Sequence, residues 1–200
     1  MGANVLHSES IFPVASVGIP IRICNTFRPT DAGTYIVKTS TRDFRENAVT
    51  GIAGKKDFTV ITIEKAMMNN EIGFVQKVLN VIGKYNISFE HLPSGVDTMS
   101  LVVANSYLED GRKEAIIEEF KQMLQPDKIY LHENIALVAV VGCGMVKNIG
   151  TSARVFKAIA DAGINVNMID QGSSELNIII GVENEDKGKC IRVLYNEFFN

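Results

Sequence analysis

The chain has 200 residues, is 46% apolar and carries a net charge of −3, with acids and bases mixed along its length. That size suits one large or two small globular domains. The charge pattern shows none of the basic face of a nucleic-acid binder, and no apolar run approaches the roughly 20 residues of a membrane helix. The N-terminus has no basic segment followed by an apolar stretch, so no secretory signal is read. Cys24, Cys143 and Cys190 are widely spaced and form no CxxC pair or metal-type cluster. They read as three reduced thiols of a cytoplasmic protein.

In chain order, residues 1–40 give a helix-like start, a Gly-Ile-Pro turn, a short strand at Ile21–Asn25 and another at Thr34–Val37. This is too little to bury a core, and it reads as the tail of a domain whose front is missing. A linker at 38–47 leads to a strand-like segment at 47–56. A second strand, 58–65, is rich in Thr, Val and Ile. Ile72, Val75, Val78, Leu79 and Ile82 recur at helical spacing. Tyr85–Leu92 and Met99–Ala104 are strands around a polar Pro-Ser-Gly-Val-Asp break. The stretch 111–124 is an amphipathic helix with Ile116, Ile117, Phe120 and Leu124 inward. Pro126 stops it, and Lys128–Glu133 supplies a last strand.

The same order then returns. At a shift of 77, Met68, Ile72, Gly73, Val78 and Ile82 meet Met145, Ile149, Gly150, Val155 and Ile159, and Lys77 meets Arg154. Two residues inserted before Gly163 change the shift to 79, after which Asn86-Ile87-Ser88 meets Asn165-Val166-Asn167 and Ser94 meets Ser173. Each copy is a ferredoxin-like βαββαβ unit, an α+β fold with an antiparallel sheet and both helices on one face. The second copy ends in a helix at about 186–199 with no residues for its fourth strand. The spare strand at 47–56 is expected to cross over and complete it, since an uncovered sheet edge is a liability. The first unit, 57–134, is then inserted in a second made of 47–56 and 135–200.

Several local motifs resemble one family. "VLHSES", "GIPIRICNTFRP" and "GTYIV" resemble the close of the aspartate kinase catalytic domain. "GIAGKKDFTVITI", "VVGCGM", "IGTSARVFKAIADAGINVNMI" and "SSELNIIIGV" resemble the paired ACT domains of its regulatory half. "KAMMNNEIGFVQKVL", "YNISFEHLPSGVD" and "LQPDKI" are most similar to the lysine-responsive, single-function branch. The resemblance implies an enzyme that phosphorylates the β-carboxylate of aspartate, with feedback by a pathway end product. It also implies that ATP and Mg belong to a catalytic part whose Lys-Phe-Gly-Gly phosphate segment is absent from this sequence. This chain is therefore expected to be inactive alone, with no cofactor or metal of its own. Its expected partners are an amino-acid effector (L-lysine or L-threonine), a second copy through the ACT units, and the kinase catalytic domain.

A free amino acid offers a carboxylate, an ammonium and a side chain. The loop 67–72 runs into a helix whose first N–H groups can take a carboxylate, and Gly73 permits close approach there. Asn69 and Asn70 can equally act as helix caps. Glu90 is a candidate for the ammonium, and Ser88, Ser94 and Asp97 offer oxygens around the polar break or ordinary turn chemistry. By resemblance, the effector residues are Met68, Asn69, Gly73, Phe74, Val75, Ser88, Phe89, Glu90, Ser94, Gly95 and Val96. The chain has Pro93 and Gly95 where a Thr and a Glu are common in the family. That departure leaves a second reading open, a dimerisation module with a degenerate pocket. Thr151 stands for Phe74 and Asn167 for Ser88 in the second copy, which is expected to be structural.

Rival signals are weaker. Gly142, Gly144 and Gly150 do not have GxGxxG spacing. Cys143 is expected to be a small buried thiol at a strand end. His7, His91 and His132 have no i, i+4 partner for a metal. The aliphatic strands lack the aromatics of an RNA-binding sheet.

Overall fold

The structure is a computed structural model that describes residues 8–37 and 48–200. His7 and the 38–47 linker lie outside the described residues. The chain divides into two compact units, 1–46 and 47–200. In the first, helix α1 (Ser8–Ser16) precedes a hairpin of β1 (Ile21–Ile23) and β2 (Thr34–Ile36). The hairpin pairs antiparallel, with Arg22 opposite Tyr35. Arg22 stitches its turn by donating to the carbonyls of Ala32 and Asp31, each at 2.9 Å.

The second unit holds β3 (Gly51–Glu64), α2 (Phe74–Lys84), β4 (Phe89–His91), β5 (Thr98–Ala104), α3 (Arg112–Leu124), β6 (Lys128–Val141), α4 (Thr151–Asp161), β7 (Met168–Asp170), β8 (Asn177–Glu183) and α5 (Lys187–Phe199). All six strands form one antiparallel sheet in the order β4-β5-β3-β6-β8-β7. The segments read separately as 47–56 and 58–65 are one strand, β3. Lys128–Glu133 likewise continues into the apolar run after it as β6. The two expected sheets are therefore halves of one.

The two long strands change partners midway. Phe58–Glu64 of β3 pairs with β5, while Gly51–Lys55 pairs only with Leu137–Val141 of β6. Each half thus has four strands; the first follows the βαββαβ order, and in the second Gly51–Lys55, earlier in the chain, serves as the fourth strand. The pairing of β3 with β6 is irregular between Lys55 and Val60. There Asp57 and Asn134 both take the left-handed conformation, at φ 69° and 61°. Polar side chains suit that conformation better than β-branched ones do.

Alternation along the strands builds three cores. Ile61, Ile63, Met99, Leu101 and Val103 pack under α2 and α3 with Val78, Ile82, Ile116, Phe120 and Leu124. Ala136, Val138, Val140, Ile178, Ile180 and Val182 pack under α4 and α5 with Val155, Ile159, Cys190 and Leu194. The opposite faces of both halves meet in a third cluster of Phe58, Val60, Val102, Ile135, Leu137, Ala139, Met168 and Ile179. β4 and β7 lie at opposite ends of the strand order, yet His91 Nδ1 and Asp170 Oδ2 are 2.7 Å apart. The sheet is therefore folded back at Asp57 and Asn134, bare face on bare face. Buried Val, Leu, Ile and Phe side chains contribute about 1.5–3 kcal/mol each, so this third cluster is a main reason for the fold-back.

The repeat is visible in the structure. Both α2 and α4 start after a left-handed glycine, Gly73 (φ 81°) and Gly150 (φ 88°). Repeat-equivalent residues also meet one another: Phe58 pairs with Ile135, and His91 with Asp170. The copies are thus related by an internal two-fold.

Four sequence expectations change. Tyr85–Leu92 is strand only at Phe89–His91, because Asn86 (φ 54°) turns the chain out of α2. Asn86 corresponds to Gly163 (φ 67°), and Ile87 N–H→Ile82 O matches Ile164 N–H→Ile159 O. The two inserted residues therefore lie after Ile164, not before Gly163. Ile72 precedes α2 and is 99% exposed, while Val75 is 41% exposed, so neither belongs to the inward stripe. Ile117 is only half-buried. Among the described residues no helix is long and apolar enough to cross a membrane.

Gly142 ends the second-half strand where Ala48 and Val49 cross it. A Cβ there would lie 2.0 Å from the Ala48 carbonyl oxygen and 2.9 Å from Val49 Cα. Backbone cannot swing aside as a side chain can. Gly142→Ala is expected to lose about 3 kcal/mol in urea unfolding, at the upper end of overpacking costs. Gly83, in the exposed last turn of α2 with nothing within 4 Å of an added Cβ, is the control. Gly83→Ala is expected to gain about 0.5–1 kcal/mol through helix propensity.

Candidate effector-binding site

Two loops of the first half build a cleft. After β3, backbone donors pin the chain in sequence: Lys65 N–H to Asp97 O, Ala66 N–H to Asp127 Oδ2 and Met67 N–H to Asp97 Oδ1. Met67 is left-handed (φ 58°) and starts a single 3-10 turn at Met68–Asn70. Asn69 N–H then donates to Val96 O at 3.1 Å. Gly73 ends the loop and heads α2. No side chain caps that helix start, so the expected capping role of Asn69 or Asn70 is not taken up. Phe74 N–H donates back to Glu71 O at 3.2 Å, and the positive end of the helix favours an anion beside the N–H groups that follow.

The opposing wall is the hairpin between β4 and β5. Gly95 N–H donates to Thr98 O at 2.7 Å, Ser100 N–H to Pro93 O at 2.8 Å, and Ser94 bridges Met99. Between the walls lies a cleft of about 260 Å³, lined by Met68, Asn69, Glu71, Gly73, Phe74, Val75, Ser94, Gly95 and Met99. Met68, Phe74 and Met99 are buried and form its apolar base. Drug-sized pockets span about 300–1,000 Å³. This one is in scale with a single amino acid.

The structure therefore gathers Met68, Asn69, Gly73, Phe74, Val75, Ser94 and Gly95 of the sequence candidates. Val96 and Asp97 brace the loop from behind through the bonds given above. Ser88, Phe89 and Glu90 do not line the cleft of one chain. Glu90 instead approaches Lys55 of the second half, with Nζ–Oε1 at 3.9 Å. The acid that does line the cleft is Glu71, which the sequence reading missed. Its two carboxylate oxygens each receive an ammonium at 2.6 Å, from Lys65 and from Lys77. Lys65 also donates to Leu124 O at the end of α3, at 2.6 Å. These hydrogen bonds, to Lys65 first and then Lys77, hold the Glu71 carboxyl below its ordinary value. One signal was available: at a shift of 77, Lys65 and Glu71 stand over Gly142 and Asn148, two of the places where the copies differ in charge.

The second copy differs beside this loop. Gly142 takes the place of Lys65, and the Ala48–Val49 backbone fills the space beyond its Cα. Thr151 replaces Phe74 and turns its hydroxyl to Asn148 O at 2.9 Å. Cys143 is exposed, contrary to the expected buried thiol, whereas Cys190 is buried. Burial, with Asp186 nearby, pushes the Cys190 thiol up to about 11.

Comparison with known proteins follows the same division. The ACT domain model matches residues 138–198. Aspartokinase 3 of Bacillus subtilis is 37% identical over 198 residues, spanning 99% of this chain and 43% of that protein. The crystal structure of aspartate kinase from Clostridium acetobutylicum, an allosteric enzyme, is 50% identical with a TM-score of 0.90. It covers 97% of this chain, which covers 45% of it. The chain is a homologue of part of the aspartokinases. It spans less than half the length of these two relatives. The regulatory subunit of aspartate kinase from Thermus flavus shares the fold at 22% identity and a TM-score of 0.64, with 99% of that chain covered. So does E. coli aspartokinase III in complex with lysine and aspartate, at 22% identity and a TM-score of 0.75.

The Lys65–Glu71–Lys77 cluster makes the loop of this aspartokinase homologue acid-sensitive. A carboxyl whose folded value is depressed stabilises the fold above its unfolded value and loses that contribution as pH falls through the folded one. Glu71→Gln is therefore expected to be less stable than the parent at pH 7. The gap should hold down to the ordinary value of 4.5 and close below it. Urea unfolding of both proteins across that range is the measurement.

Proposed function

We propose that this chain is the effector-sensing part of an aspartate kinase and binds an end-product amino acid, L-lysine first and L-threonine second, in the first-half cleft. The observation that carries the reading is the cleft at the start of α2, in scale with one amino acid and lined by seven of the sequence candidates. In this reading the effector carboxylate meets the first-turn N–H groups of α2. The aliphatic part lies on Met68, Phe74 and Met99, and Ser94 supplies a polar contact. The parent enzyme transfers phosphate from ATP, with Mg, to the β-carboxylate of aspartate, in a catalytic part that the relatives' length provides for. The cytoplasm is the proposed compartment.

A homodimer belongs to the same proposal. Met67, Ile72, Val75, Phe89 and Val96 are apolar and exposed in the first half. A second copy seated there would cover them and bring Ser88, Phe89 and Glu90 of one chain toward the cleft of the other. To inhibit, the effector must prefer one arrangement of the enzyme over the other, with a coupling of roughly 1–3 kcal/mol.

Isothermal titration with L-lysine, and with L-threonine and D-lysine as comparisons, tests this. L-lysine is expected to saturate at about one site per chain. Ser94→Ala should weaken binding roughly three- to tenfold, the worth of one neutral hydrogen bond. Ser173→Ala, its counterpart in the second copy, should leave it unchanged. Heat with threonine alone would move the effector assignment. No heat with any of them would favour the dimerisation module.

A further inference from the structure

A short polar contact between the two copies lies where their edge strands meet. His91 ends β4 and Asp170 ends β7, and these are equivalent residues of the repeat. Their side chains are part-buried, and Nδ1 and Oδ2 are 2.7 Å apart. Beside them Lys55 of the second half approaches Glu90 of the first. Asp57 and Asn134 form the bend of the fold-back. Asn184 N–H donates to Asn134 O at 2.8 Å, and the Asn184 amide exchanges bonds with Asp57 at 3.2 and 2.9 Å. The folded sheet thus has a pinned bend and a short polar contact between its two edge strands.

Both edge strands are only three residues long and are held by one neighbouring strand each. Short edge strands with one partner are the first parts of a sheet to open. We propose that the His91–Asp170 contact is a clasp, so that β4 and β7 open together rather than separately. β4 also carries Phe89 and Glu90 and leads into the hairpin that walls the cleft. Through the clasp, whatever shifts β4 is felt by the second copy. This inference stands on the contact geometry and not on the choice of effector.

Native-state hydrogen exchange of the 200-residue chain tests it, with His91→Gln, Asp170→Asn and the double variant. Asp170→Asn is expected to speed exchange in β4 as well as β7, by about tenfold, a mid-range coupling between contacting residues. His91→Gln should do the same to β7, and the double variant should exchange no faster than either single one. Changes confined to the substituted edge, or effects that multiply in the double variant, would overturn the clasp. Should a single substitution unfold the chain, the exchanged pair H91D/D170H decides. Parent-like protection at both edges supports the clasp, and lost protection at either edge defeats it.

Discussion

The pairing of β3 with β6 is the constraint on which the rest depends. Each is fourteen residues long and each serves both copies of the repeat. A strand's side chains alternate between faces, so two strands running through both halves fix which residues face helices in each. The helices then have no choice of side. The same two strands must bend together, because they stay hydrogen-bonded on either side of the irregular stretch. Asp57 and Asn134 supply that bend at equivalent positions. The fold-back follows, and with it the burial of a second set of faces that would otherwise meet water.

A repeat with an internal two-fold would make two equal sites. The connectivity prevents it. The first half obtains its fourth strand from the end of its own sequence, at Lys128–Glu133. The second obtains it from Gly51–Lys55, and the chain must reach that strand by passing Ala48 and Val49 over Gly142. A lysine at the first-copy position can reach Glu71 and the end of α3. At the second-copy position only glycine fits. The difference between a lysine in one copy and a glycine in the other is thus the geometric result of inserting one unit in the other.

Much of this was legible in the sequence, for a definite reason. Aliphatic alternation and helical spacing are local, and a shift of 77 or 79 residues repeats them, so the element order and the need for a crossover strand could be read. What escaped depends on longer range. Nothing local distinguishes two sheets from one, since the continuity of β3 past Lys56 and Asp57 is decided by partner strands. Ile72 has the right spacing for the inward face of α2, but Gly73 turns left-handed and starts the helix after it. Glu90 is an isolated acid in sequence, and only the fold-back brings Lys55 to it. Glu71 was passed over because its partners are six residues away on either side, one on a strand end and one on a helix.

The exposed isoleucines bear on what covers the molecule. Ile72 and Ile149 are repeat equivalents, at 99% and 105% exposure. Each stands just before the glycine that heads a helix. Scattered surface hydrophobics need no explanation. Here the same fully exposed residue recurs at the same point of both copies. The two isoleucines are tied to what the copies share, a helix start beside a short, singly paired edge strand. That is the part of each unit a second copy of the chain can reach. In the first half such a partner would close over Met67, Val75 and Phe89 as well, and so would convert an open cleft into an enclosed one, where a ligand's charged ends interact more strongly than they do in water.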